Sequence, residues 1–272
     1  MGSALEGEKS DDIFEAVHYK DVVAVQDILE KNPRACLLTD SASTTETMTT
    51  TVFCGLIGVG RVHDGSTPLI VASRLGYPDI VSLLIKQPFN DFKFCNKRGM
   101  NALHAAAAAG NVDVIDILMP TKQYDVNVYA GHSTDTDEAF THSKWTPLHF
   151  ASSESKSIDC AKTLLEKYGA NPNLVNNEGQ SALHIACIMF QVELIKLLIL
   201  HNADFNLKDN YGATPITKLG VGCEYGVTND EKMKAIDEID ALVESIKKHP
   251  NLVVDKGKNA KSWIDRIVKY SS

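Results

Sequence analysis

The chain has 272 residues, 44% of them apolar, enough to bury a sizeable core and too many for a wholly disordered polypeptide. Its 27 basic and 35 acidic residues leave a net charge of −8, which argues against a duplex nucleic-acid binder, since such proteins present a basic stripe. No run of about 18 apolar residues occurs, so no membrane-spanning helix is predicted, and the N-terminus lacks a basic-then-apolar signal segment.

Residues 1–10 read as an N-terminal tail or tag remnant, beginning Met1-Gly2-Ser3. A helix pair follows at about 11–38, in Ile13 to Val17 and Val22 to Leu29, with Asp, Glu and Lys left exposed. Residues 39–62 form a long insertion. It begins polar and Thr-rich, from Thr39 to Thr45, and turns apolar from Val52 to Val59. Its first part, Thr39 to Thr51, is expected to be a mobile loop.

A tetrapeptide then recurs. It reads Thr67-Pro68-Leu69-Ile70, Asn101-Ala102-Leu103-His104, Thr146-Pro147-Leu148-His149, Ser181-Ala182-Leu183-His184 and Thr214-Pro215-Ile216-Thr217, at separations of 34, 45, 35 and 33 residues. Ala72, Ala106, Ala151 and Ala186 follow in four copies. Each copy predicts a short helix. The Thr or Ser supplies its N-cap, Pro suits the first turn, and a Gly such as Gly76 or Gly110 suits the left-handed exit. A second apolar helical stripe and a turn close each unit, as in Leu194 to Leu198 and then Asn202 to Asn206.

These elements together resemble the ankyrin-repeat family, over most of residues 11–249. The physics agrees: neither short helix can bury its apolar face alone, and stacking neighbouring units merges those faces into one core. The predicted fold is all-α, an ankyrin-repeat solenoid of helix-turn-helix units with β-hairpin or loop fingers. It has a cap at 11–38 and repeats beginning near 62, 96, 141, 176 and 209. The last repeat degenerates, because Gly220, Gly222 and Gly226 interrupt its first helix. A longer helix is expected from Asp230 to Lys248, capped by Asn229 or Asp230. Residues 250–272 form a C-terminal helical extension, with Trp263, Ile264 and Ile267 on one face. The 45-residue separation places about 12 extra residues, relative to a 33-residue period, between Asn127 and Trp145. This second insertion (128–144) carries Asp135, Asp137 and Glu138, and both insertions are expected over the edge that borders the concave surface.

The resemblance implies a non-enzymatic scaffold or adaptor that binds another protein through fingertips and inner helices. The fingertips would contribute His63, Lys97, Arg98, Trp145, Asn177, Glu178, Gln180 and Tyr211. The inner helices would contribute Arg74, Leu75, Ser153, Glu154, Ile188 and Met189. Trp145 and Tyr211 stand out, since aromatics and Arg are enriched at interaction hot spots. An inhibitor or assembly chaperone that occludes one partner is the alternative, as is a pathogen effector that binds a host protein. The charges run from basic (His63, Arg74, Lys97, Arg98) through Lys144 to acidic (Glu154, Glu178, Asp209), which predicts a dipolar binding surface. The free protein is expected to be a monomer.

Other readings are weaker. His104, His149 and His184 recur too far apart to share a zinc ion, and the resemblance gives them a role in steadying the stack. His132 and His142 match no known ligand spacing. Gly55 to Gly60 lacks the Lys-Ser/Thr ending of a phosphate-binding loop. Cys54 with His63 lacks an orienting third group and an oxyanion hole. No cofactor or metal is therefore expected. Six widely spaced cysteines (Cys36, Cys54, Cys95, Cys160, Cys187 and Cys223) with no CxxC pair suit a reducing compartment. A cytoplasmic location follows, with nuclear or secreted-effector use left open.

Overall fold

The computed structural model describes residues 12–40, 65–131, 144–154, 157–221 and 228–248. The segments 41–64 and 132–143, most of the two insertions, lie outside the described residues, as does the extension at 250–272 and His63.

Each tetrapeptide starts a helix at the expected residue. Helices α1 (Ile13–His18) and α2 (Val22–Lys31) form the first pair, followed by a 3-10 turn at Pro33–Leu37. Next come α3 (Pro68–Leu75) with α4 (Pro78–Leu84), α5 (Ala102–Ala109) with α6 (Val112–Leu118), α7 (Pro147–Ser153) with α8 (Ile158–Glu166), and α9 (Ala182–Ile188) with α10 (Val192–Leu200). In the last repeat the first helix is reduced to a 3-10 turn, Pro215–Lys218, before the long α11 (Asn229–Lys248). The cap of α11 differs from expectation. Thr228 Oγ1 accepts from Glu231 N at 3.2 Å, and Glu231 Oε2 accepts from Thr228 N at 2.7 Å. This reciprocal box lies one residue ahead of Asn229.

The chain divides into two compact units. One comprises Met1–Ala106, Asp113–Tyr124 and Gly131–Glu138, the other Ala107–Val112, Asp125–Ala130 and Ala139–Ser272. In the first, α1 packs on α2 and α3, α3 on α4, and α2 on α4. In the second, α7 packs on α8 and α9, α9 on α10 and on the turn at 215–218, α8 on α10, and α10 on α11. First helices thus meet first helices, and second helices meet second helices. The motif alanines Ala72, Ala106, Ala151 and Ala186 are fully buried, small enough for backbones to approach. Around them lie Leu69, Ile80, Leu84 and Leu103 in one unit, and Leu148, Phe150, Leu164, Leu183, Leu194 and Ile195 in the other. Each such side chain contributes roughly 1.5–3 kcal/mol by leaving water.

The fingers are turns rather than hairpins. Among the described residues the extended pairing is a single isolated bridge, Val175 to Ser181. Three described fingers are closed instead by one Asn or Asp, whose side-chain oxygen accepts from two backbone N–H groups. Asn96 Oδ1 takes Arg98 N and Met100 N, both at 3.0 Å. Asn176 Oδ1 takes Glu178 N and Gln180 N, both at 2.9 Å. Asp209 Oδ1 takes Tyr211 N and Ala213 N, both at 2.9 Å. The two insertions leave through pinned necks. Asp40 N donates to Ser66 O at 3.1 Å while Asp40 Oδ1 accepts from Ser66 N at 2.9 Å, and Ala130 N donates to Trp145 O at 2.7 Å.

The motif histidines tie repeat to repeat. The His149 ring accepts at Nδ1 from Thr146 N (3.1 Å) and bonds at Nε2 with Gln180 O in the next finger (3.0 Å). His184 repeats this with Ser181 N (3.1 Å) and Ala213 O (3.2 Å). A backbone N–H can only donate and a carbonyl can only accept, so each ring is neutral with its proton on Nε2. Burial lowers the His149 pKa from 6.5 to about 4, against the opposing pull of its bond to Gln180.

The unfolded chain takes up this proton near pH 6.5, whereas the folded protein resists it down to about 4. Between those values the unfolded state binds more protons. The contribution of His149 is therefore complete above pH 6.5 and is lost as pH falls toward 4, by about 3 kcal/mol at the limit. Urea midpoints measured from pH 7.5 to 4.5 are expected to fall steeply in the wild type. The His149→Gln variant should start lower and give a flatter profile over the same window.

Candidate functional site

The described candidates separate into side chains that face water and side chains that the stack consumes. In the first unit, Lys97 is exposed, and Arg98, Arg74 and Leu75 are half-buried. In the second, Asn177 and Tyr211 are exposed, and Glu178, Glu154, Ile188 and Met189 are half-buried. Arg74 and Leu75 end α3, and Ile188 and Met189 end α9, so both pairs sit at the exit of an inner helix.

Three candidates move to the interior. Trp145 is only 8% exposed. Its ring packs on Phe150, with centroids 5.2 Å apart, and on His149 at 6.1 Å. Lying one residue before the Thr146 cap, it is an anchor of the core rather than of a partner. Gln180 is buried, with its carbonyl taken by His149 and its N–H by Asn176. Ser153 is buried at the end of α7, where its hydroxyl donates to Phe150 O at 2.8 Å. All three sit next to motif positions, where the demands of the cap and the bridge outrank exposure.

Asp209 is also corrected. It is buried, not part of an acidic surface, and pairs with Lys218. Burial alone would raise its pKa. The Lys218 ammonium and the N–H groups of Ala213 and Tyr211 outweigh that and hold the carboxyl below its usual range.

The same bonds shape the exposed Tyr211. Its backbone is held by Asp209, and the Lys218 ammonium lies 5.5 Å from its ring centroid. The neighbouring Asn210 locks this finger to the preceding one. Asn210 N donates to Glu178 O at 3.0 Å, and Asn210 Nδ2 donates to Asn177 O at 2.9 Å. Tyr211, Asn177 and Glu178 therefore share a backbone-braced platform. Tyr211 is 80% exposed, the largest exposure among the described large hydrophobic side chains.

Sequence reasoning missed the bracing residues, Asn96, Asn176, Asn210 and Asp209. Their signal was present, since Asn96, Asn176 and Asp209 each stand three residues before a glycine. A second missed set lies at the opposite turns. Asn127 Oδ1 accepts from Asn171 N at 2.8 Å, Asn173 Oδ1 accepts from Asp204 N at 2.7 Å, and Asn173 Nδ2 donates to Asn202 O at 2.8 Å.

Among the described residues no three His, Cys, Asp or Glu side chains converge as a metal site would require. Burial pushes the Cys187 thiol up to about 12 and raises Cys36, which makes both poor nucleophiles at neutral pH. No helix of the described residues is long and apolar enough to cross a membrane.

Comparison with known proteins agrees with this architecture. The family model "Ankyrin repeats" matches three times, over residues 16–130, 90–176 and 128–209. The chain belongs to the ankyrin-repeat family, whose members are generally protein–protein interaction modules and typically not enzymes. It is 33% identical over 148 residues to an ankyrin repeat protein of fowlpox virus (strain NVSL), covering 52% of this chain and 38% of that protein. It is 31% identical over 160 residues to ankyrin repeat and SOCS box protein 16 of Homo sapiens, covering 58% of this chain and 32% of that one. A Caenorhabditis elegans homolog of ankyrin repeat and LEM domain-containing protein 1 is 42% identical over 69 residues, 25% of this chain and 10% of that protein. The chain thus spans well under half the length of these relatives.

The two aromatics give opposite expectations. Trp145→Ala should lower unfolding free energy by about 3–5 kcal/mol, the range for deleting a large buried aromatic. Tyr211→Ala should change it by less than about 0.5 kcal/mol, as surface substitutions do. Chemical denaturation of both variants checks the assignment.

Proposed function

We propose that this chain is a scaffold or adaptor that binds a partner protein, with Tyr211 as the principal contact of the second unit. The observation that carries this reading is the exposed Tyr211 ring on a finger braced by Asp209, Lys218 and Asn210. A large apolar ring held in water by a stiff backbone gains area on binding and loses little conformational freedom. Asn177 and Glu178 supply polar contacts beside it, and Ile188, Met189 and Glu154 add half-buried groups at the inner helix ends. In the first unit Arg74, Leu75, Lys97 and Arg98 occupy the matching positions.

The repeat domain is proposed to run from 11 to 249, with residues 1–10 and 250–272 outside it. The packing of α11 on α10 supports including the long helix. Lys196 Nζ joins the two, reaching Glu238 Oε2 at 2.7 Å and Glu193 Oε1 at 3.3 Å on its own helix. A cytoplasmic setting is part of the proposal, supported by the free thiols of Cys36, Cys95 and Cys187.

Affinity capture from cell extract with the immobilised full chain, followed by mass spectrometry, tests the reading. A specific partner should be retained by the wild type and lost, by about tenfold or more, with Tyr211→Ala, the loss typical of a hot-spot aromatic. Retention unchanged by Tyr211→Ala and by Asn177→Ala/Glu178→Ala would refute the assignment of this face.

A further inference from the structure

We propose that the fingertip of the first unit, residues 96–100, is a docking point for an acidic segment of a partner protein, gripped by Lys97 and Arg98. This rests on the protein-binding reading and adds the chemistry of what is bound. The two cations are consecutive in the chain, and neither side chain has an ion pair or hydrogen bond among the described residues. Lys196 and Lys218, by contrast, are committed to Glu193, Glu238 and Asp209.

The backbone beneath the pair is over-determined. Asn96 Oδ1 holds Arg98 N and Met100 N, and Asn96 Nδ2 donates to Ser66 Oγ at 3.0 Å. Gly99 turns left-handed at φ +72° and accepts from Gly131 N at 2.9 Å, so closely that a Cβ on Gly99 would collide with the Gly131 carbonyl. The stem of Lys97 lies along Gly65, with Cγ 3.4 Å and Cε 3.7 Å from where a Cβ would stand. The residue nonetheless remains exposed, as for a long cation that rests its methylenes on the protein and keeps its head in water. A planar guanidinium and a point-charge ammonium on consecutive residues of one tip suit carboxylates, one held bidentately and the next by charge.

The chain as a whole carries −8, so an acidic partner is not drawn in from afar. At physiological salt, charge is screened beyond about 8 Å, and recognition by this pair is therefore short-ranged. A duplex nucleic acid is the poorer fit, since its binders neutralise about 6–10 phosphates along a stripe, whereas this tip offers two cations.

The test titrates isotope-labelled full chain with an acetylated octapeptide of alternating Glu and Asp. A Lys/Arg octapeptide and an eight-nucleotide single-stranded DNA serve as separate probes. Backbone amide shifts should centre on Gly65, Lys97, Arg98 and Gly99 with the acidic peptide alone. Affinity should fall about tenfold from 50 to 300 mM salt, and the shifts should vanish in Lys97→Glu/Arg98→Glu with the melting temperature unchanged. No shifts at these amides, equal shifts with the basic peptide, or tighter binding of the oligonucleotide would each overturn the proposal. Failure here is separable from failure of the broader reading. A partner captured through Tyr211 but indifferent to the Lys97/Arg98 reversal leaves protein binding intact and removes the acidic segment.

Discussion

A neutral imidazole spanning two repeats is the interaction on which the second unit turns. His149 receives an N–H from its own helix cap and delivers its Nε2 proton to the carbonyl of Gln180, 31 residues on. His184 does the same for Ala213. Each ring thus satisfies an orphan donor at a helix start and adds a second bond to a finger carbonyl that already accepts a backbone N–H, from Asn176 at Gln180 and from Asp209 at Ala213. Helices of seven to nine residues are too short to persist alone. The bridge holds each one at the position where its neighbour can cover its apolar face.

With repeats joined in this way, the tips at 96–100, 176–180 and 209–213 have their backbones closed locally. Asn96, Asn176 and Asp209 each fold a tip around their own side chain, and Asn210 stitches one tip to another through backbone atoms. Closure by these turn-forming side chains onto the main chain leaves the outward side chains at the tips free of structural duty. That division explains why Lys97, Asn177 and Tyr211 can face water on a rigid support, the arrangement an interaction surface requires. It also explains the fate of Asp209, which closes its turn, neutralises Lys218, and so leaves the surface it was expected to charge.

Much of this was legible from the residues alone. The recurrence of Thr-Pro-Leu-His-type tetrapeptides, four of the five followed by a small Ala, determined the helix starts, the family and the all-α class. Cap chemistry, proline at the first turn and close helix approach are local demands that few residue types satisfy. The degeneration of the last repeat was equally visible in its glycines, and Tyr211, Lys97 and Asn177 were placed at the surface from motif position alone.

Tertiary structure decided which candidates were free to bind. Trp145, Gln180 and Ser153 occupy positions beside the motif, and only the packed stack shows that Phe150, His149 and Asn176 claim them. The contacts of Asn127 with Asn171 and of Asn173 with Asn202 and Asp204 likewise join residues that are distant in the chain. Periodicity reports where a side chain stands within its own repeat. Burial depends on what the next repeat brings against it, and that is a property of the contact between repeats, which no single repeat contains.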